Sequence, residues 1–167
     1  MKRSVHFFLL TLMIASCSVL HRTPGNQSPK IKFSELDYGI CKTTTVYQEH
    51  MENSPSGNYS QSTGFKLLEQ TDKIPGKIGQ EFGIEYILRS GITTDILIEQ
   101  VWIFPGTITD DQGKKFKELR YSVSKPTNER TYSVYTLEKD FEVVKGTWTY
   151  QMFYKGKKIY ERKFYVE

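Results

Sequence analysis

An all-β fold, a sandwich of seven or eight strands, is predicted by three features of the sequence. Apolar and polar residues alternate with a period of two in several segments, each short enough to be one strand. Gly, Pro, Asn and Asp punctuate the chain at fairly even spacing between those segments. The plentiful aromatics (11 Tyr, 10 Phe and 2 Trp) crowd into runs with Ile and Val, a mixture that suits a pleated surface, and no segment of the domain shows a persuasive helical period.

Taken in chain order, strands begin after Phe33. Ile40 to Tyr47 closes with the β-branched and aromatic run Thr43-Thr44-Thr45-Val46-Tyr47. Gln48 to Ser62 is polar and holds Pro55 and Gly57, which predicts a long exposed loop. Gly64 to Gln70 is a strand, closed by Lys73-Ile74-Pro75-Gly76. Phe82, Ile84, Tyr86 and Leu88 alternate with Gly83, Glu85, Ile87 and Arg89, so one face is buried. Asp95 to Phe104 is apolar on both faces near its end, as a central strand is, and Pro105-Gly106 stops it. Asp110-Asp111-Gln112-Gly113 turns the chain into Phe116 to Ser124, and Arg130 to Leu137 follows. Trp148, Tyr150, Met152 and Tyr154 then alternate with Thr147, Thr149, Gln151 and Phe153. Lys155-Gly156-Lys157 turns this strand into Ile159 to Val166, a tight hairpin. Strand count and turn spacing together favour an immunoglobulin-like β-sandwich. A small β-barrel is the alternative, and the Cys-Trp-Cys pattern of antibody domains is absent.

Ahead of the domain, Met1 to Ser16 has the three parts of a secretory signal: Lys2 and Arg3, an apolar run from Val5 to Ala15, and small residues before Cys17. That run has 11 residues, or roughly 16 Å as helix, about half of the ~30 Å of a bilayer core. The ending Ile14-Ala15-Ser16-Cys17 resembles the lipobox of bacterial lipoproteins. The resemblance implies diacylglycerol on the Cys17 sulfur, cleavage before that residue, and acylation of the new amine, which together give a double anchor. Ser18, where Asp is absent, implies sorting to the outer membrane, facing the periplasm. The expected organisation is therefore a signal peptide over 1–16, a lipidated Cys and polar flexible tether over 17–32, and the sandwich over 33–167.

Charge narrows the partners. The 23 Lys+Arg lose Lys2 and Arg3 with the leader, which leaves 21 against 19 Asp+Glu. A balance so near neutral offers no electrostatic case for nucleic acid. The expected partners are the membrane, through the lipid, and another protein of the envelope.

With the strands laid out, the chain resembles the bacterial family known as domain of unknown function 3859. The residues that carry the likeness are Asp37-Tyr38-Gly39-Ile40, Ile74-Pro75 before Phe82-Gly83-Ile84, and Phe104-Pro105 after a Trp-containing strand. Asp111-Gln112-Gly113-Lys114, Gly146-Thr147-Trp148-Thr149 and Phe164-Tyr165-Val166 continue it over nearly all of residues 36–167. The likeness implies the fold and transfers no activity. Lys145 stands where the family prefers Pro.

The residues offer little chemistry. His50 is the one histidine of the domain and Cys41 its one cysteine, whereas triads and zinc sites need imidazoles or thiolates held together. Cys41 reads as a small packed residue, with an intermolecular disulfide or a Cys41–His50 pair as the alternatives. Counting an EF-hand loop from Asp110 puts Tyr121 at the twelfth position, where a bidentate Glu belongs, so the Asp-rich segment is a turn. Gly76-Lys77-Ile78-Gly79 leads into a strand, not the helix a phosphate loop requires. Glu81 and Glu85 share a strand face roughly 13 Å apart, beyond the ~5–9.5 Å of glycosidase pairs, and read as solvent-facing charges. The row Trp148, Tyr150, Met152 and Tyr154 is either the inner face of the last hairpin or, at Tyr150 and Tyr154, a platform for glycan or small solute. The expectation is a non-catalytic binding or scaffolding lipoprotein with no cofactor and no metal.

Overall fold

The computed structural model describes residues 29–167 as nine strands. These are β1 (Lys32–His50), β2 (Asn58–Glu69), β3 (Lys73–Ile74), β4 (Glu81–Arg89), β5 (Asp95–Thr109), β6 (Lys115–Pro126), β7 (Arg130–Thr136), β8 (Gly146–Tyr154) and β9 (Lys157–Val166). One sheet has the order β2-β1-β4-β7 and the other β3-β9-β8-β5-β6. The two sheets are separate, so the chain is a sandwich and not the barrel held as the alternative.

Period-two alternation explains the core. Phe82, Ile84, Tyr86 and Leu88 of β4 are fully buried, and the residues facing them include Trp102, Trp148, Tyr150, Met152 and Phe164, each at most 1% exposed. Phe82 is the hub, with its ring edge-on to Trp102, Trp148 and Phe164 at centroid distances of 5.2–5.9 Å. That geometry sets the positive edge of one ring against the negative face of the next. The β8–β9 hairpin closes through Lys155 and Gly156, both at positive φ (50° and 74°), the conformation that matches the twist of paired strands.

Three expectations about element bounds are corrected. Gln48 to Ser62 is not a long loop: β1 runs on to His50, and β2 starts at Asn58. Their outer halves, from Thr44 to His50 and from Asn58 to Gly64, pair as a two-stranded arm. No face of the arm joins the core, so its sequence never alternates. Pro105-Gly106 does not end β5, which continues to Thr109 through a register shift between Ile103 and Ile108. A bulge is where a strand tolerates proline. Lys73-Ile74 is more than a closing turn, since it pairs in parallel with Tyr165-Val166 of β9.

The arm diverges where the pairing of β1 with β4 stops, at Ile40 opposite Phe82. One residue before, Gly39 has φ +131°, and a Cβ there would lie 2.2 Å from the Glu69 carbonyl oxygen, so the crossing of β2 over this point requires glycine. Beyond it, the Glu81 carboxylate continues the bonding in place of main chain. It accepts from the Thr43 backbone N–H (2.8 Å), the Thr43 hydroxyl (2.9 Å) and the Lys42 ammonium (2.9 Å). The arm then reaches past β7 to β6: Phe65 stacks on Tyr132, Tyr59 meets Tyr121, and the Lys114 ammonium donates to the Glu52 carbonyl at 2.7 Å.

Candidate functional site

The residues singled out by sequence fall into separate places. Cys17, together with the leader and most of the tether, lies outside the described residues. Tyr150 is corrected outright as a platform residue: it is fully buried, and its hydroxyl donates to Ser133 Oγ at 3.0 Å, where Tyr86 shares a second bond of 3.2 Å. The phase of β8 turns Trp148, Tyr150 and Met152 inward and leaves Thr147, Thr149 and Gln151 outside. Tyr154, at the strand end, is only half-buried, beneath the Lys155 ammonium at 5.9 Å. One half-buried ring does not make a stacking surface.

Glu81 and Glu85 do share the outer face of β4, yet they are not free solvent charges. Their side chains are 11% and 12% exposed, Glu81 being bound by the arm and Glu85 by Arg130 at 2.5 Å. Each carboxylate is thus already neutralised by a partner from another strand. His50 is exposed near the tip of the arm. Cys41 is fully buried, and burial first, then the nearby Glu81 charge, pushes its thiol up to about 12. So buried a thiol stays protonated at neutral pH. Asp110 makes the predicted turn, its Oδ1 accepting from the Gln112 and Lys114 N–H groups at 2.9 and 2.8 Å. No group of three His, Cys, Asp or Glu placed to hold a metal occurs among the described residues.

What the fold does assemble is a polar seam between the edge strands β6 and β7, overlain by the arm. Two adjoining cavities, of about 160 and 270 Å³, share Ser60 and Ser62 of β2, Tyr121 of β6 and Val134 of β7 as walls. Gln100, Thr131 and Ser133 reach the larger one from the core side. Gln100 is 1% exposed and accepts from the Tyr121 hydroxyl at 2.9 Å, while the Tyr132 hydroxyl donates to the Ser62 carbonyl.

Lys125 lines the same cavity. Its ammonium donates to the Tyr132 carbonyl at 2.9 Å and lies 5.8 Å from that ring, and among the described residues it has no carboxylate in ion-pair range. Desolvation pulls its pKa down to about 8, because a buried ammonium loses hydration that a carbonyl only partly replaces. Sequence reasoning passed over Lys125, although a signal existed: Tyr121, Val123 and Lys125 occupy one phase of β6, so the lysine sits on the inward row. The smaller cavity is closed by Glu142, whose carboxylate accepts from Tyr135 Oη (2.6 Å) and from the Glu138 and Lys139 N–H groups (both 2.9 Å). These bonds pin the connection after β7. The seam offers hydroxyls and amides, the Lys125 cation in the larger cavity, and the carboxylates of Glu81, Glu138 and Glu142 in the smaller one.

Two long strands, β2 and β6, each have a hydrogen-bonded neighbour on one side only. β2 also carries Leu68, 53% exposed, and the arm's other strand carries Val46 and Tyr47 at 59% and 53%. Open edges of this kind are where an extended segment from another chain pairs.

Residues 29–166 match the family described as Domain of unknown function (DUF3859). In three dimensions, the chain is similar to the crystal structure of an immunoglobulin-like protein from Pseudomonas aeruginosa, with a TM-score of 0.62 and 21% identity over 86% of this chain and 100% of that one. At such identity the likeness shows the fold alone, an immunoglobulin-like sandwich of two sheets. No protein of curated function matches the sequence.

Proposed function

Given that the chain belongs to the DUF3859 family, an immunoglobulin-like sandwich without an assigned activity, we propose that it is a non-catalytic lipoprotein of the bacterial envelope. In this reading Cys17 carries the lipid, the polar segment behind it is the tether, and the domain binds or scaffolds another envelope protein by contact. The observation that carries the contact role is β2: twelve residues long, bonded on one side only, and bearing the exposed Leu68. An extended segment of a partner would take its affinity from main-chain bonds to β2 and its specificity from alternate side chains. The chemistry of the domain supports contact over turnover, since its thiol is buried, its histidine stands alone, and Glu81 and Glu85 are each held by a cation.

Affinity purification from detergent-solubilised membranes tests this reading. The wild type should retain one envelope protein in stoichiometric amount, and Lys66→Pro with Leu68→Asp should lose it while keeping the wild-type circular dichroism spectrum. Retention of the same partner by the folded double variant would remove β2 from the interface. A second reading, small-solute binding, now rests on the seam and its Lys125, because the aromatic row expected to serve it is buried.

A further inference from the structure

The N-terminus of the domain and three loops converge on one end of the sandwich. β1 starts there at Lys32, which pairs with Arg89 at the end of β4. The β4–β5 connection, the β6–β7 turn and the Lys155-Gly156 turn lie at that same end. Asn128 ties two of them together through bonds to Ser90 and Ile92, and Phe33 stacks on Tyr160 just beyond the third. Seven cations of this end are exposed: Lys30, Lys32, Arg89, Arg130, Lys155, Lys157 and Lys158, while Lys125 beside the β6–β7 turn is half-buried. Arg130 and Lys158 are paired with Glu85 and Glu161. The other five have no ion-pair partner among the described residues, and the carboxylates of this end are Asp95, Glu129 and the already paired Glu85 and Glu161. Ile92, 56% exposed, sits at the tip of the β4–β5 connection. The connections at the opposite end mix their signs instead. Asp110 and Asp111 stand beside Lys114 and Lys115, and Glu138 and Asp140 beside Lys139 and Lys145.

We propose that this basic end is a membrane-docking face that seats the domain on anionic phospholipid, with Ile92 entering the headgroup layer. The orientation rests on the lipoprotein reading, because a tether entering at Lys32 presents this end to the bilayer. The charge argument does not depend on the tether. A chain close to neutral overall holds five unpaired cations on one tip, where an anionic surface attracts each of them within a Debye length. Docking would fix the β2 edge and the arm at a set height above the bilayer, whereas a free tether of the thirteen residues from Ser18 to Lys30 would let them range over about 20 Å.

The test is co-sedimentation of residues 29–167, which carry no acyl chain, with vesicles of phosphatidylcholine alone or with 30% phosphatidylglycerol at low ionic strength. Binding should appear only with the anionic vesicles and fade by 0.5 M salt. Arg89→Gln with Lys155→Gln and Lys157→Gln should weaken it roughly a hundred-fold, each cation contributing about five-fold. Lys114→Gln with Lys115→Gln and Lys139→Gln should leave it within two-fold of wild type. Equal binding to both vesicles, no binding at all, or equal losses in the two triple variants would overturn the docking face. Fatty-acid labelling of full-length protein at Cys17 reads the anchor separately, so either idea can fail while the other stands.

Discussion

Replacing Trp148 by alanine should remove a large share of the stability of the domain. The indole is fully buried. It packs edge-on against Phe104 and Tyr135 at 4.9 Å and against Phe82 at 5.9 Å, and its Nε1–H donates to the Val144 carbonyl at 2.9 Å. Truncating a buried Trp costs ~3–5 kcal/mol through lost transfer energy and the cavity left behind. The orphaned Val144 carbonyl pushes the cost toward the upper figure. A domain of this kind holds only ~5–15 kcal/mol, so urea denaturation should show between a third and most of it gone. In thermal melts the loss should lower Tm by roughly 10–20 °C, at about 3–4 °C per kcal/mol for this size. Trp148→Phe separates the contributions: it keeps a ring in the cluster, loses the hydrogen bond, and should cost about half as much. A Trp148→Ala protein melting within two degrees of wild type would refute the assignment of Trp148 to the inter-sheet core.

Two further outcomes follow from separate parts of the chain. Metabolic labelling with a fatty acid should mark the wild type and not Cys17→Ser; an unlabelled wild type would replace the lipid anchor with plain secretion. Lys125, held at about 8 in the fold against an ordinary 10.5, makes stability depend on pH. Below 8 both states hold the proton, and the folded state bears the desolvation cost. Between 8 and 10.5 the unfolded chain binds more protons than the folded one, so stability rises with pH through that window. Relative to Lys125→Met, the wild type should gain up to ~3 kcal/mol from pH 7 to the top of the window, at ~1.36 kcal/mol per unit. Measured by urea denaturation at pH 7 and 9.5, ahead of most tyrosine ionisation, parallel profiles would place Lys125 in water.

Alternation revealed the strands that bury one face. β4, β8 and β9 were legible because Phe82-Gly83-Ile84 and Trp148-Thr149-Tyr150 must alternate to separate core from solvent. The tip of the arm was hidden for the converse reason: Gln48 to His50 and Asn58 to Ser62 face no core, so their polar composition does not distinguish strand from loop, whereas the β-branched run Thr43 to Tyr47 was legible as strand. Pro105 misled because a bulge, visible only in the pairing of β5 with β6, removes the need for its missing N–H. The outer-face pair Glu81 and Glu85 was placed correctly along the strand, but its neutralisation by Lys42 and Arg130 depends on strands distant in sequence. The seam was unreadable for the same reason. Lys125 carried a signal that went unread, a charge on the inward phase of β6. The basic end is likewise dispersed in sequence and is gathered only when three loops and the N-terminus meet.

The central claim, that this domain works by contact along an open strand edge, is tested most directly by photo-crosslinking in living cells. A photoreactive residue at Thr63 or Leu68 on β2 should trap one and the same envelope protein. A residue placed at Thr149, on the outer face of the other sheet, should trap none, and the adduct should vanish when the β2 edge is blocked by Lys66→Pro. Adducts from all three positions alike, or none from β2 in cells where the gene has a phenotype, would contradict the account.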